Sequence, residues 1–210
     1  MTELENRVDL LSGHWREWAD GAARVKPDGW EELVAGLGAL QDAVAGTVPP
    51  ADVVAEASEL MARVRDLLAP YEVAGSEQIF GRLLGLPSRG QTFSPTLQIH
   101  DFRDDELVAT TRFGRFHSGN NGVVHGGAIA VMFDDALGRT ADIAGGGRSR
   151  TASLTVDFRS LTQLDRDLEV KVRVARVDGR KRTLHGTLSD GERLCAEATG
   201  LFLEMRPEQA

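Results

Sequence analysis

The chain has 210 residues, 41% of them hydrophobic, and carries a net charge of −8 at pH 7. That length buries a core for one domain, or one domain plus an appendage, and the acidic balance argues against nucleic acid or an anionic membrane surface as the main partner. A lone cysteine, Cys195, excludes an internal disulfide and suits a reducing compartment. No run approaches the roughly 18 uninterrupted apolar residues of a membrane span. The acidic, polar start Met1-Thr-Glu-Leu-Glu-Asn is unlike a signal peptide, so a soluble cytoplasmic protein is expected.

The charge is uneven along the chain. Residues 1–70 hold 13 Asp and Glu against 6 Lys and Arg, a balance of −7, while residues 71–210 are nearly neutral. Pro27, Pro49-Pro50 and Pro70 punctuate this first part, and its apolar residues recur at helical spacing. Leu33, Leu37 and Leu40 form one stripe; Val53, Ala57, Leu60, Met61, Val64 and Leu67-Leu68 form another. Asp28 stands where it would cap the first helix, and Ala51-Asp52 follows Pro50 as a helix start does. Residues 1–75 thus read as an acidic helical extension of two or three helices. It serves either as a lid or partner-docking element or as a packing extension of the main domain.

Residues 88–206 form the main domain, and from Ser88 the pattern turns to strands. Thr96–His100 and Leu107–Phe113 flank the turn Asp101–Asp105. Beyond a central helix, Leu154, Val156 and Phe158 alternate with polar residues, and so do Val170, Val172 and Val174. Asp178-Gly179 and Asp190-Gly191 then separate three consecutive runs, a hairpin pattern, the last of them Leu194–Leu203. A curled antiparallel sheet wrapped around one long helix, an α+β fold, is the economical arrangement. No internal repeat is present.

Between the second and third strands stands Gly119-Asn-Asn-Gly-Val-Val-His-Gly-Gly-Ala-Ile-Ala-Val-Met-Phe-Asp-Asp-Ala-Leu-Gly138. A polar, glycine-bearing loop running into a helix points unpaired backbone N–H groups at an incoming oxygen. Asp134, nine residues after His125, puts a carboxylate two turns along the same helix. An oxyanion donor with a carboxylate is the minimum equipment for acyl-group hydrolysis.

The order of elements and the His125-Gly-Gly…Asp134 pattern resemble the hot-dog-fold acyl-CoA thioesterases, in the branch whose catalytic aspartate lies in the central helix. The resemblance covers roughly residues 90–204 and includes Gly122-Val-Val-His-Gly-Gly127 and the strand opening Thr151-Ala-Ser-Leu-Thr-Val-Asp-Phe158. Many relatives carry an asparagine six residues before the histidine. This chain has Gly119 there, with Asn120, Asn121 and Gly122 beside it as the substrate-binding candidates. The resemblance implies hydrolysis of an acyl-CoA, with no metal or cofactor. Subunits would form dimers, often paired into dimers of dimers. It does not reach the first seventy residues.

Two adjacent aspartates compete for the catalytic role. At 100° per residue the buried stripe is Ile129, Met132, Phe133, Ala136, Leu137 and Thr140, and Asp134 and Asp135 flank it on opposite sides. Asp135 precedes Arg139 by one turn, which reads as a surface ion pair worth roughly 0.2–0.5 kcal/mol. Asp134 sits among Gly127, Ala130, Gly138 and Ala141, a face on which another backbone or a ligand can approach closely. Asp134 is therefore the catalytic candidate and Asp135 the surface residue.

Helix geometry then bears on assembly. Asp134 lies seven residues beyond Gly127, about 10 Å along the axis, while attack needs atoms roughly 3–3.5 Å apart. Two helices running antiparallel across a twofold axis would bring the aspartate of one to the glycine amides of the other, so an obligate dimer with composite sites is expected. The thioester oxygen would accept from Gly126 or Gly127. Asp134 would activate water as general base or attack directly as nucleophile. Thr151 stands where relatives place a hydroxyl that holds the water or carboxylate, and equally reads as an ordinary β-branched strand residue. His125 would brace the loop through hydrogen bonds rather than act as base.

Other residues read plainly. His14, His100, His117 and His185 show no metal-ligand spacing. Cys195 falls inside a strand and should be buried and inert, and no Gly-x-Ser-x-Gly elbow is present. Ala144-Gly-Gly-Gly147 reads as a flexible connection. Two rival functions stand beside hydrolysis: a non-catalytic acyl-CoA sensor on the same fold, against which Asp134 argues, and an acyl-CoA hydratase or dehydratase, whose histidine and acid arrangement is not seen.

Overall fold

A computed structural model describes residues 20–84, 86–103, 105–145 and 148–206. Of the extension, residues 20–25 are helical, followed by α1 (Trp30–Ala45) and α2 (Ala51–Leu68). The cap of α1 corrects the sequence reading. Gly29, in a left-handed conformation with φ of 81°, takes the position, and no side chain, Asp28 included, bonds to the free amides. Pro50 precedes α2 as expected. Neither helix buries a single residue. Residues 1–19 of the expected helical extension lie outside the described residues.

The main domain is built from β1 (Thr96–Arg103), β2 (Glu106–Arg112), α3 (Gly126–Gly145), β3 (Ser149–Phe158), β4 (Leu168–Asp178), β5 (Lys181–Asp190) and β6 (Arg193–Glu204). All pairings are antiparallel, in the order β1-β2-β4-β5-β6-β3. The alternation read from the sequence shows directly in β4, where Leu168, Val170 and Val172 are buried and their neighbours exposed. Gly179 and Gly191 turn the two hairpins with φ of 56° and 59°.

α3 lies in the curl of the sheet. Its buried residues include all six of the expected stripe, and Phe133 and Leu137 are wholly enclosed. Two glycines in the facing strands let the helix come this close: a Cβ at Gly186 would lie 2.9 Å from Leu137 and 3.0 Å from Phe133, and one at Gly200 would lie 2.7 Å from Leu137. Phe202, Leu184, Leu188 and the buried Cys195 complete the core. The helix runs one residue into the glycine run, to Gly145, rather than ending before it. The Arg182 guanidinium fills the space a side chain at Gly145 would take. Gly146 and Gly147, the rest of the expected flexible connection, lie outside the described residues.

β1 and β3 are the sheet edges. β3 is ten residues long and mostly exposed, with β6 its one neighbour among the described strands, and such an edge offers a row of unpaired backbone groups.

Candidate active site

The loop before α3 is fixed by its backbone. Gly119 N–H donates to Val123 O at 2.7 Å, Val124 N–H to Thr162 O at 2.9 Å, and His125 N–H to His117 O at 2.8 Å. The glycine that departs from the family pattern is there for space: a Cβ at Gly119 would lie 3.1 Å from the His125 Cα. Asn121 takes a left-handed conformation, φ 60°, which asparagine tolerates better than most residues. Asn120, Asn121 and Gly122 form a short 3₁₀ turn at the mouth of the loop.

His125 organises the helix start. Its carbonyl accepts from Ala128 at 2.9 Å, and its Nδ1 accepts from the Gly127 amide at 2.9 Å. In the neutral ring the proton then sits on Nε2. The two glycine amides are thereby separated: Gly127 points its N–H at the imidazole, whereas Gly126 opens the helix with a donor that no carbonyl within it can accept. The Phe158 ring stands over Gly126, 3.0 Å from where a Cβ would be.

Two turns along, the adjacent aspartates part company. Asp134 is exposed, and its Oδ1 accepts the Thr151 hydroxyl at 2.7 Å. Thr151 stands at the β-bulge of β3, between Thr151 and Ser153. A bulge is a device that re-aims a strand side chain. Asp135 is not the surface residue expected from the sequence. Its side chain is 6% exposed and lies between Arg89 Nη2 at 2.9 Å and Arg139 Nη2 at 2.8 Å. The Arg139 pair was visible at i,i+4; Arg89, from a loop that lies over the helix, was not. Burial pulls the Arg89 guanidinium down, and Asp135 opposes that most strongly.

Asp142, two turns further, escaped the sequence reading altogether. Burial pushes its carboxyl up to about 7, against the Ser149 N–H that donates to it at 2.7 Å and the nearby Arg148 and Arg89.

Two adjoining grooves run along this flank of α3. One, of about 510 Å³, is lined by Phe80, Phe93, Phe116, Gly127, Ala128 and Val131. The other, of about 240 Å³, holds Asp134, Thr151 and Gly138 and shares Phe93 and Val131 with the first. The extension reaches the first groove through Gln41, and Asp42 of α1 accepts the Phe116 N–H at 2.7 Å. His117 lies between the rings of Phe113 and Phe116, and burial lowers its pKa, with Asp42 opposing. None of these aromatic and N-terminal contributors was identified from the sequence, because each reaches the helix from a distant segment.

Comparison with known proteins fits this geometry. The thioesterase superfamily model matches residues 121–197, the stretch from the glycine loop to β6. The chain is 34% identical over 109 residues to the acyl-coenzyme A thioesterase THEM4 of Bos taurus, covering 51% of this chain and 44% of that protein. It is 30% identical over 99 residues to a putative esterase of Pseudomonas aeruginosa, 46% of this chain and 74% of the relative. It spans about half the length of the curated thioesterases it matches. Among solved structures, a thioesterase superfamily protein aligns over 85% of this chain and 97% of its own, with a TM-score of 0.69 at 22% identity. A Streptococcus mutans protein bound to acetyl CoA aligns over 55% of this chain and 92% of its own, at 0.50 and 17%. The chain belongs to the hot-dog-fold thioesterase superfamily.

Proposed function

We propose that this protein hydrolyses acyl-CoA thioesters to the free acid and CoA. The observation that carries the reading is the 2.7 Å hydrogen bond from Thr151 to an exposed Asp134, on a helix whose first amide, Gly126, is left to an outside acceptor. The hydrogen bond fixes one carboxylate oxygen and leaves the other for chemistry. The thioester carbonyl oxygen would take the Gly126 N–H, in the field of the helix N-terminus, as negative charge grows on it. Gly127 and His125 hold that amide's neighbourhood rather than donating themselves.

Asp134 then acts in one of two ways. As general base it takes a proton from water while the water oxygen bonds to the carbonyl carbon. The tetrahedral adduct collapses with loss of the CoA thiolate, which recovers a proton. As nucleophile its carboxylate attacks the carbonyl carbon and expels the CoA thiolate, which takes up a proton, to give a mixed anhydride that water cleaves in a second step to the free acid and the regenerated carboxylate. Either route needs the carboxylate within bonding range of a carbonyl held at Gly126, eight residues and about 12 Å along the same helix. A second copy, its helix antiparallel across a twofold, supplies that proximity, and the uncovered edge β3 beside Phe158 and Thr151 is the surface where two copies would meet. The 510 Å³ groove with its phenylalanines is the seat for the acyl group, and the family relatives named as acyl-CoA thioesterases favour CoA as the carrier.

The test is free-thiol release from short, medium, long and aromatic acyl-CoAs, with Asp134→Asn beside the wild type. Removing the carboxylate lowers kcat at least a hundredfold, on the order expected for a lost catalytic base, with the melting temperature unchanged because Asp134 is exposed. Acyl-CoA binding without thiol release by the wild type would instead identify a sensor.

A further inference from the structure

α2 is an 18-residue helix with no buried residue, and its main packing contact among the described elements is with the short 3₁₀ turn Ala69–Tyr71 that continues it. In proteins most helical stability comes from packing an apolar face, and the apolar residues of α2 are not scattered. Val53, Ala57, Leu60, Val64 and Leu67 follow one another at steps of four, three, four and three, the seam of a coiled coil. The four large ones are 46–71% exposed. We propose that this seam is covered by α2 of a second copy of the chain, running antiparallel to the first.

Charge along the helix selects the occupant and its direction. Asp52, Glu56 and Glu59 lie in the first half and Arg63 and Arg65 in the second, Arg65 being paired with Asp66 at 2.7 Å. Glu56 and Arg63 occupy equivalent positions on one flank of the seam, one heptad apart. The other flank carries Val54, Met61 and Leu68. In an antiparallel pair like flanks meet. Setting Val53 against Val64 of the other copy, and Ala57 against Leu60, brings Glu56 of each helix to Arg63 of its partner, twice over. The same register closes the apolar flanks on each other. A parallel pair would place Glu56 and Arg63 against Met61 and Leu68, with no countercharge. The contact is independent of the thioesterase reading.

Disulfide trapping in a Cys195→Ser background tests it. A chain carrying both Val53→Cys and Val64→Cys is expected to become a covalent dimer on mild oxidation, while each single variant stays uncrosslinked. Within one helix the two positions are about 16 Å apart and cannot join each other. Glu56→Arg in the double-cysteine chain cuts the yield at least fivefold, and adding Arg63→Glu restores it. A double-cysteine chain that never crosslinks would overturn the proposal and leave residues 1–19 or another protein to cover the seam. Crosslinking by Val53→Cys alone would overturn the antiparallel direction, and failure of the charge swap to restore the yield would overturn the register.

Discussion

α2 and α3 carry the same kind of apolar stripe and end in opposite circumstances. In α3, Phe133 and Leu137 are wholly enclosed because Gly186 and Gly200 let the helix settle onto the sheet. In α2, residues at the same spacing face solvent, and no described residue of the chain buries them. Periodicity of 3.6 therefore specifies a helix and a face; what covers that face is a property of the sheet, or of another molecule. The charges divide in the same way. Around α3 they are buried and paired, as in Arg89–Asp135–Arg139. Among the described residues of the extension they are mostly solvated, and Asp42 reaches the domain.

The largest expected effect lies in the buried set. Asp135→Ala leaves two arginines, 26% and 17% exposed, without their shared carboxylate, and breaking such a pair costs about 3–5 kcal/mol. Urea unfolding followed by circular dichroism should show that loss, with Asp134→Ala beside it changing stability little. Equal losses for the two would mean that Asp135 is no more a part of the interior than its neighbour, and the contrast between the two regions would fail at its strongest point.

Asp142 sharpens the same contrast through pH. Its folded-state carboxyl titrates at about 7, above the ordinary 3.8. Below pH 4 it is neutral folded and unfolded, and its ionisation costs nothing. Between pH 4 and 7 the unfolded chain gives up the proton while the folded chain keeps it, so stability falls as pH rises. Above 7 the penalty is constant, on the order of 4 kcal/mol. Asp142→Asn keeps an acceptor for the Ser149 amide and loses the titration. Melting temperatures taken from pH 5 to pH 8 should therefore fall in the wild type relative to Asp142→Asn. Parallel curves would mean that the carboxyl is solvated.

Much of this was legible in the sequence. Most strands alternate over much of their length, the hairpin turns carry Asp-Gly pairs, and the α3 stripe repeats over three turns, so the elements and the enclosed face of the helix followed from local pattern. Thr151, read from the sequence either as a hydroxyl that serves the site or as an ordinary strand residue, does donate to Asp134 at 2.7 Å, and its catalytic part is the proposal made above. The hidden parts are those set by a segment remote in sequence. Arg89 decides whether Asp135 is surface or interior, and Asp42 decides what holds the 114–118 turn. Desolvation decides the titration of Asp142, and nothing in Thr-Ala-Asp-Ile announces it. Local periodicity encodes which side of a helix turns inward; the identity of a long-range ion partner has no periodic trace.

Asp42 is one of several residues of α1 and its C-cap that meet the domain, beside Gln41 at the first groove and Gly46 against Arg115, and its effect should be the smallest. The carboxylate accepts the Phe116 amide at 2.7 Å, and the next carbonyl, of His117, holds the His125 amide at 2.8 Å, directly before the helix start. Asp42→Ala removes one acceptor from a partly solvated amide, worth about 1 kcal/mol, and Asp42→Asn, which retains a carbonyl oxygen, should recover most of it. Hydrogen exchange at the Phe116 amide should accelerate in the alanine variant and not in the asparagine one. A loss above about 3 kcal/mol would exceed what one hydrogen bond supplies. The extension would then be a structural part of the domain, and its solvated helices would belong to the same folding unit as α3. A loss near 1 kcal/mol makes Asp42 one modest contact among several between α1 and the 114–118 turn, so that α1 could alter the wall of the first groove without unfolding the sheet behind it.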